Sequence, residues 1–465
     1  MFAPKGLGQR WTLLIGGDLA CVIAALWASI ALTGRPGFAV SDLYGPEELT
    51  ATMAIFHLAL MYFQDLYTID HPRSDAWVAV AAMMATVKLA LVLSLFVMAA
   101  PALAVGRVFP AAYLFISGVF LIGWRFAANT FFFAHFNIGV MALGMSECAP
   151  ALIAEIDRRR HLGYRFLGIA TVGSDYLAMR TAGELSPDAR PALISANSIA
   201  DLSPRNGVNT LVVLDPITAP GCVRDLVQCR VRGTAVFDFE SFFERIAGKL
   251  PIPFLRQSWL VYAPGFGSSH WRRLLKRASD IIVSLAIAVL TLPITLAATI
   301  AIKLDSDGSL FYSQERVGLN GEVFRVLKFR SMCADAERGT GAVWAQKNDP
   351  RVTRVGRIIR RMRIDELPQI INVLRGEMSV VGPRPERPEI VARLEAEIPY
   401  YQYRHFVRPG VTGWAQVCFP YGASIAEARE KLCYDLYYIK NWSLRLDMQI
   451  MLQTTKVVLF GRGAR

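Results

Sequence analysis

The sequence predicts a membrane protein of mixed α and α/β class: a four-helix transmembrane bundle, a small α/β domain, and a C-terminal, mainly α domain with a membrane helix of its own. Three observations carry that prediction. Hydrophobic residues fill 53% of 465 positions and mean hydropathy is +0.34, too apolar for an ordinary soluble chain. Four long apolar segments occupy the first 135 residues. The net charge of +12 is lopsided, because Trp271 to Arg465 holds 30 Lys and Arg against 19 Asp and Glu.

The apolar segments run from Trp11 to Thr33, Leu49 to Tyr67, Val78 to Val105 and Val108 to Phe133, each about long enough to cross a ~30 Å hydrocarbon core. Residues 1–135 are therefore read as the transmembrane region. The first segment is too long for a signal peptide, and the Thr33-Gly34-Arg35-Pro36 that follows lacks a small-residue cleavage pattern. Lys5 and Arg10 precede it, Asp42, Glu47 and Glu48 occupy the first loop, and Arg73 sits in the second. That distribution puts both ends of the bundle in the cytoplasm.

Residues 136–250 change pattern. Short apolar runs at Ile138–Leu143, Arg165–Val172, Thr210–Leu214 and Thr234–Phe237 alternate with polar helical stretches, which implies a parallel sheet with helices. The first run leads into Gly144-Met145-Ser146-Glu147-Cys148-Ala149, where a dinucleotide fingerprint wants a second glycine and finds Ser146. This is a degraded Rossmann-like domain, read as a relic or regulatory module rather than a working nucleotide site. Residues 251–270, bearing Pro and Gly, read as a linker to a last domain at 271–465.

That domain opens on 22 uncharged residues between Asp280 and Lys303. Pro293 removes a helix hydrogen bond near the middle and clashes with the preceding turn, so a break is expected. Arg272, Arg273, Lys276 and Arg277 before the segment and Lys303 after it hold both flanks on one face. The expectation is a re-entrant helix over about 278–302, with an ordinary kinked spanning helix as the alternative. Seven cysteines show no C-x-x-C pair and six histidines lie scattered, so zinc chemistry and a Ser-His-Asp hydrolase both lack support.

Arginines recur at 351, 354, 357, 360 and 363, beside Arg361, with Val352, Val355, Ile358, Ile359 and Met362 between them, a spacing that suits a helix face. A helix lying on anionic lipid explains the outer arginines. It does not explain why the run ends on Asp365-Glu366. Paired carboxylates among cations point to phosphate chemistry: arginine and lysine gather a diphosphate, and a carboxylate-held divalent metal neutralises charge as a phosphoryl bond breaks. Nucleic acid is not the expected partner, since no nucleic-acid motif accompanies the charge.

Around that pair stand Gln314-Glu315-Arg316-Val317-Gly318, Lys328-Phe329-Arg330-Ser331-Met332, Val381-Gly382-Pro383-Arg384-Pro385-Glu386, Arg408-Pro409-Gly410-Val411-Thr412-Gly413-Trp414-Ala415-Gln416 and Tyr434-Asp435-Leu436-Tyr437-Tyr438. In this order and spacing they resemble the bacterial sugar transferases, the monotopic polyprenyl-phosphate phosphoglycosyltransferases, over essentially all of 271–465. The preceding bundle and α/β domain look like the longer, exopolysaccharide-initiating members. The ending Leu459-Phe460-Gly461-Arg462-Gly463-Ala464-Arg465 resembles an exosortase-associated subgroup. Leu292 before the proline, where smaller members often have serine, and Asp307-Gly308-Ser309, in place of Pro-Gly-Pro, depart from the family pattern.

The resemblance implies transfer of a sugar-1-phosphate from a UDP-sugar to undecaprenyl phosphate, with Asp365 as nucleophile and Glu366 as ligand to Mg²⁺, at the cytoplasmic face of a bacterial inner membrane. Residue types alone leave open which acid attacks. Arg384, on a stiff turn between two prolines, suits bidentate phosphate recognition. Arg316, Lys328 and Arg330 are assigned to the nucleotide diphosphate, and Gln416 to nucleotide or sugar or else to a packing corner. Lys276 or Arg277 pairs with Asp280 while the spare cation meets the lipid phosphate, or both snorkel. Asp447 is read as structural, with positioning of the metal or anchoring of Arg445 as the alternatives. The bilayer is the second partner, a homodimer is compatible with the bundle, and glucose or galactose is the expected sugar. A non-catalytic scaffold of polysaccharide assembly is the competing reading.

Overall fold

The computed structural model describes residues 5–33, 46–64, 66–67, 75–99, 108–128, 138–144, 146–171, 193–195, 207–215, 220–267, 269–333, 351–419 and 424–460. Asp42, Arg73, Met145 and the 461–465 tail lie outside them. The chain divides into two compact units at residues 246/247.

In the first unit, helices α1 (Lys5–Thr33), α2 (Pro46–Phe63), α3 (Asp75–Ala99) and α4 (Val108–Ala127) follow the four apolar segments. α1 and α3 each touch both α2 and α4. Val22, Leu26, Met61, Leu89, Tyr113 and Leu121 are buried between them. Gly17 lets α4 approach, because a Cβ there would meet the Trp124 ring at 2.0 Å. Among the described residues, one helix of this unit, Thr12–Leu32, is long and apolar enough to cross a membrane, with shorter apolar stretches at Ala54–Phe63, Val80–Leu89 and Ala111–Ala127. Sequence reading did not single out the polar groups buried here. Arg125 Nε donates to Asp18 at 3.0 Å and its Nη1 to the Leu66 carbonyl at 3.1 Å, while His57 Nδ1 lies 2.8 Å from the Tyr113 hydroxyl. Apolar surroundings leave such groups only one another as partners, which pins the helix register.

The same unit holds β1 (Ile138–Leu143), α5 (Ala149–Arg158), β2 (Tyr164–Thr171), β3 (Leu193–Ser195), β4 (Thr210–Val213), α6 (Pro220–Val231), β5 (Ala235–Asp238) and α7 (Phe239–Ala247). The strands form one parallel sheet in the order β3-β2-β1-β4-β5, half of a doubly wound fold. Gly144 ends β1 at φ 92°, and a Cβ on it would meet Asp215 Oδ2 at 2.7 Å. A carboxylate thus stands over the glycine that a pyrophosphate would approach, opposite in sign to what that ligand needs.

The second unit begins before its long apolar helix. Residues 251–267, read as a linker, fold into this unit instead: Leu250 and Ile252 are core residues, and Trp259 on α8 (Gln257–Tyr262) takes the Lys440 ammonium over its ring. Its Pro and Gly mark turns within a packed segment. Next come α9 (His270–Asp305), the hairpin β6 (Phe311–Val317) and β7 (Val323–Phe329), α10 (Arg354–Arg361), α11 (Gln369–Arg375), β8 (Ser379–Val381), α12 (Pro388–Glu397), β9 (Gly410–Thr412), α13 (Trp414–Cys418), α14 (Ile425–Asn441) and α15 (Leu444–Phe460). The core collects Val373, Met378, Val381, Tyr401, Leu432, Leu436 and Ile450. β8 pairs in parallel with β9 so closely that a Cβ on Gly410 would meet the Gly382 nitrogen at 2.1 Å, which accounts for both motif glycines.

α9 runs through Pro293 as one 36-residue helix rather than as two helices separated by the expected break. Ser269 caps its start, accepting from the Arg272 N–H. Asp280 and Ser284 near one end and Ala298 and Ile302 near the other are buried, and no residue from 285 to 297 is. By length and composition it is the second candidate membrane helix among the described residues.

Candidate active site

Asp365 and Glu366 lie on a single 3₁₀ turn, Ile364–Glu366, between α10 and α11. Two features fix that turn. Arg363 enters it at φ 58°, ψ 18°, a left-handed conformation uncommon outside glycine, held by its N–H to the Arg360 carbonyl at 3.2 Å. Ile364 and Leu367, flanking the acids, pack on Ala298 and Ile302 of α9 together with Phe329 and Ile359. The carboxylates are thereby pinned beside the end of the apolar helix.

The two acids have different surroundings. Glu366 Oε1 lies 2.8 Å from Arg384 Nη2, 3.1 Å from Lys328 Nζ and 3.5 Å from Arg363 Nη1. Burial works to raise Glu366, but Arg384, Lys328 and Arg363 overcome it and hold the carboxyl well below its ordinary value. Asp365 is 9% exposed and its Oδ1 is buried with no hydrogen-bond partner. Burial, reinforced by the neighbouring Glu366 charge, pushes it up to about 6 against Lys328, Arg363 and Arg360. Burial also lowers Lys328, with Glu366 pulling the other way.

The residues singled out from sequence divide into three groups. Lys328 and Arg384 join the acid pair. Arg316 supports the loop behind them: it donates to the Pro385 carbonyl at 3.1 Å and to Gln314 at 2.7 Å, while the Val317 N–H donates to the Glu386 carbonyl. Arg404 holds the same loop, donating to the Arg384 carbonyl and to Asp435, both at 2.9 Å; this residue the sequence reading missed, and the signal was a lone arginine among aromatics four residues before the Arg408-Pro409-Gly410 motif.

The third group lies elsewhere. Arg330 clamps the end of α9, its Nη1 donating to the Asp307 carbonyl at 2.8 Å and its Nη2 to Ser306, away from the acid pair, while its Nε is buried without a partner. Arg277 caps the C-terminus of α11 through the Val373 and Leu374 carbonyls. Lys276 bridges Asp280 at 3.1 Å and Asp447 at 2.7 Å, and Asp280 accepts from Ser379 Oγ and the Val380 N–H. Neither Lys276 nor Arg277 is the spare cation expected there. Asp447 also accepts from Tyr438 and Trp442, a structural set. Gln416 donates weakly to the Val411 carbonyl at 3.4 Å, and its Oε1 is buried without a partner. The packing corner beside it is Trp414, which donates to the Gly248 carbonyl and stacks on Tyr437.

The unit combines a candidate membrane helix with a turn whose Glu366 is gripped by three cations. Residues 271–461 match the family model described as Bacterial sugar transferase. The chain is 44% identical over 185 residues to the exopolysaccharide production protein PSS of Rhizobium leguminosarum bv. phaseoli, covering 92% of that protein and 39% of this chain. It belongs to the bacterial sugar transferase family. It is also 43% identical over 249 residues, 52% of this chain, to a UDP-N-acetylgalactosamine-undecaprenyl-phosphate N-acetylgalactosaminephosphotransferase of Aeromonas hydrophila. A third relative, 45% identical over 203 residues or 42% of this chain, is an undecaprenyl-phosphate glucose phosphotransferase of Komagataeibacter xylinus. The chain spans 56% and 38% of the lengths of these last two.

Proposed function

We propose that this protein transfers a sugar-1-phosphate from a UDP-sugar to undecaprenyl phosphate, the opening step of exopolysaccharide synthesis, through a covalent aspartyl intermediate. The observation that carries the proposal is the asymmetry of the acid pair: Glu366 is saturated by cations on one oxygen, while Asp365 Oδ1 has no partner. Asp365 Oδ1 attacks the β-phosphorus. The bond from that phosphorus to the oxygen bridging the α-phosphate breaks, UMP departs, and the sugar phosphate stays on the carboxylate. An oxygen of the lipid phosphate then attacks the same phosphorus, forming the lipid diphosphosugar and freeing Asp365. Lys328 and Arg384 gather the donor's phosphate oxygens, and Arg316 and Arg404 hold the Arg384 loop in place.

The residues fit Mg²⁺. Asp365 and Glu366 share one 3₁₀ turn and Asp365 Oδ1 is buried with no hydrogen-bond partner, a donor set suited to a metal held by one or two carboxylates plus substrate phosphates. Glu366, with Asp365 beside it, would hold the ion, which supplies charge neutralisation at the diphosphate.

The bundle is read as membrane-spanning and α9 as re-entrant, with the second unit on the cytoplasmic face, where nucleotide sugars are made. Support comes from the docking of both flanks of α9 on one compact unit. The two relatives divide between glucose and N-acetylgalactosamine, so the donor class proposed is a UDP-hexose or UDP-N-acetylhexosamine. Purified protein incubated with UDP-sugar, Mg²⁺ and undecaprenyl phosphate should release UMP, and Asp365→Asn should not. UMP release unchanged in that variant sinks the proposal; its absence in the unaltered protein across a panel of UDP-sugars favours the scaffold.

A further inference from the structure

Arg384, whose guanidinium meets Glu366, also lines a recess between its own turn and the segment that carries Arg404 and His405. Val317, Pro383, Pro385 and Pro409 give that recess apolar walls. On its lining stands a polar group that the fold leaves unserved: His405 is 8% exposed, and its Nε2 is buried with no hydrogen-bond partner among the described residues. Tyr401 meets the imidazole edge to face at 6.3 Å and 72°, which sets the direction of the ring. Arg404 does not serve it, because its Nη1 goes to Tyr401 and its Nη2 to the Arg384 carbonyl and Asp435. A buried ring nitrogen without a partner is costly, and native structures keep few. Burial, with the Arg404 charge beside it, lowers His405 to about 4, so the ring is neutral near pH 7 and offers one N–H and one lone pair.

We propose that this recess takes the polar edge of the donor's pyrimidine base, and that His405 is the residue that reads it. The inference rests on the UDP-sugar reading above and adds a base subsite to it. The recess admits about one water-sized group, which suits a carbonyl oxygen or an N–H at a ring edge and leaves the ring itself against the proline walls. Uracil carries an N–H between two carbonyl oxygens, so either tautomer of a neutral imidazole finds its complement there. Arg384 belongs to both places, lining the recess and donating to Glu366 at 2.8 Å. A ligand that is anionic at one end and flat with a polar edge at the other fits the pair of sites. That is the shape of a nucleotide.

Binding is read by calorimetry on the full chain in detergent with Mg²⁺, so the readout needs no turnover. UDP should bind at least about tenfold tighter than inorganic diphosphate. His405→Leu should weaken UDP about tenfold and leave diphosphate as it was, and His405→Gln, which keeps a donor and an acceptor, should recover most of the loss. UDP methylated at the uracil N3 should lose the same factor in the unaltered protein, and the methyl should cost nothing more in His405→Leu. UDP affinity left unchanged by the leucine variant overturns the inference. So does an equal loss for UDP and diphosphate, which would put His405 in the packing of the Arg384 turn, and so does a methyl penalty that persists at full size in the variant. No binding of UDP to the unaltered protein would sink the UDP-sugar reading itself, and this inference with it.

Discussion

Arg384 Nη2 and Glu366 Oε1 lie 2.8 Å apart, on the oxygen that also receives Lys328 at 3.1 Å. This places the negative charge of the pair on Glu366 and leaves Asp365 to titrate near 6. A nucleophilic carboxylate must be ionised, so kcat/KM for UMP release should fall about tenfold per pH unit below 6 and level off above it. Glu366→Gln removes the neighbouring charge that helps raise Asp365, so the acid limb of its residual activity should move to lower pH. A limb that stays in place would assign the titration to another group.

Arg384 sits on a turn whose flanking prolines and buttresses limit its freedom. Arg384→Lys keeps the charge but loses the fork, and should lower kcat/KM by about a hundredfold in the UMP assay. Near-normal turnover of the lysine variant would show that a point charge suffices.

The raised Asp365 also makes a stability statement with a definite sign. Its folded value lies above the ordinary 3.8, so its contribution is present below that value and lost as pH rises through about 6. Asp365→Asn should therefore melt at a higher temperature than the unaltered protein at pH 8, with the advantage gone at pH 4. Scanning calorimetry at both values checks it, and equal melting at pH 8 would mean that the buried charge carries no penalty.

Much of this arrangement was legible in the sequence because it is local. Ile138–Leu143 reads as a strand from its apolar run alone and is β1. The acid pair follows an arginine ladder that forms α10, and α1 to α4 follow the four apolar segments. What escaped depends on partners distant in the chain. Arg125 and Asp18 meet across 107 positions, and Arg330, taken from its motif for a phosphate ligand, finds the carbonyls at the end of α9 24 positions away. Residues 251–267 read as a linker because Pro and Gly mark turns whether the turn is solvated or packed against a core.

Asp280 is buried with three partners: the Lys276 ammonium, the Ser379 hydroxyl and the Val380 N–H. Removing it leaves the Val380 N–H without its acceptor at the joint between α9 and β8, with Lys276 held by Asp447 alone and Ser379 by the Val381 carbonyl. Asp280→Ala should cost about 2 kcal/mol, read as a lower melting temperature in detergent. Because the joint holds no reacting group, Asp280→Asn, which keeps the Val380 bond, should recover part of the loss. Equal damage from both variants would locate the stabilisation in the ion pair.

The placement of α9 yields the sharpest topological test. Its two flanks grip one compact unit, Asp280 on β8 at one end and Ile302 with Phe329 and Ile359 at the other, while nothing from 285 to 297 is buried. A helix that crossed the bilayer would send the second flank, and the unit it is packed into, to the far side or into hydrocarbon, where the hairpin's backbone ends would find no water. Both flanks should thus face the cytoplasm. Arg273→Cys and Asp307→Cys, each introduced at an exposed site in a cysteine-free background, should react with a membrane-impermeant maleimide in inside-out vesicles and stay unlabelled in intact cells. Labelling of position 307 from outside would make α9 a spanning helix, and would remove the membrane-seated geometry on which the placement of Asp365 depends.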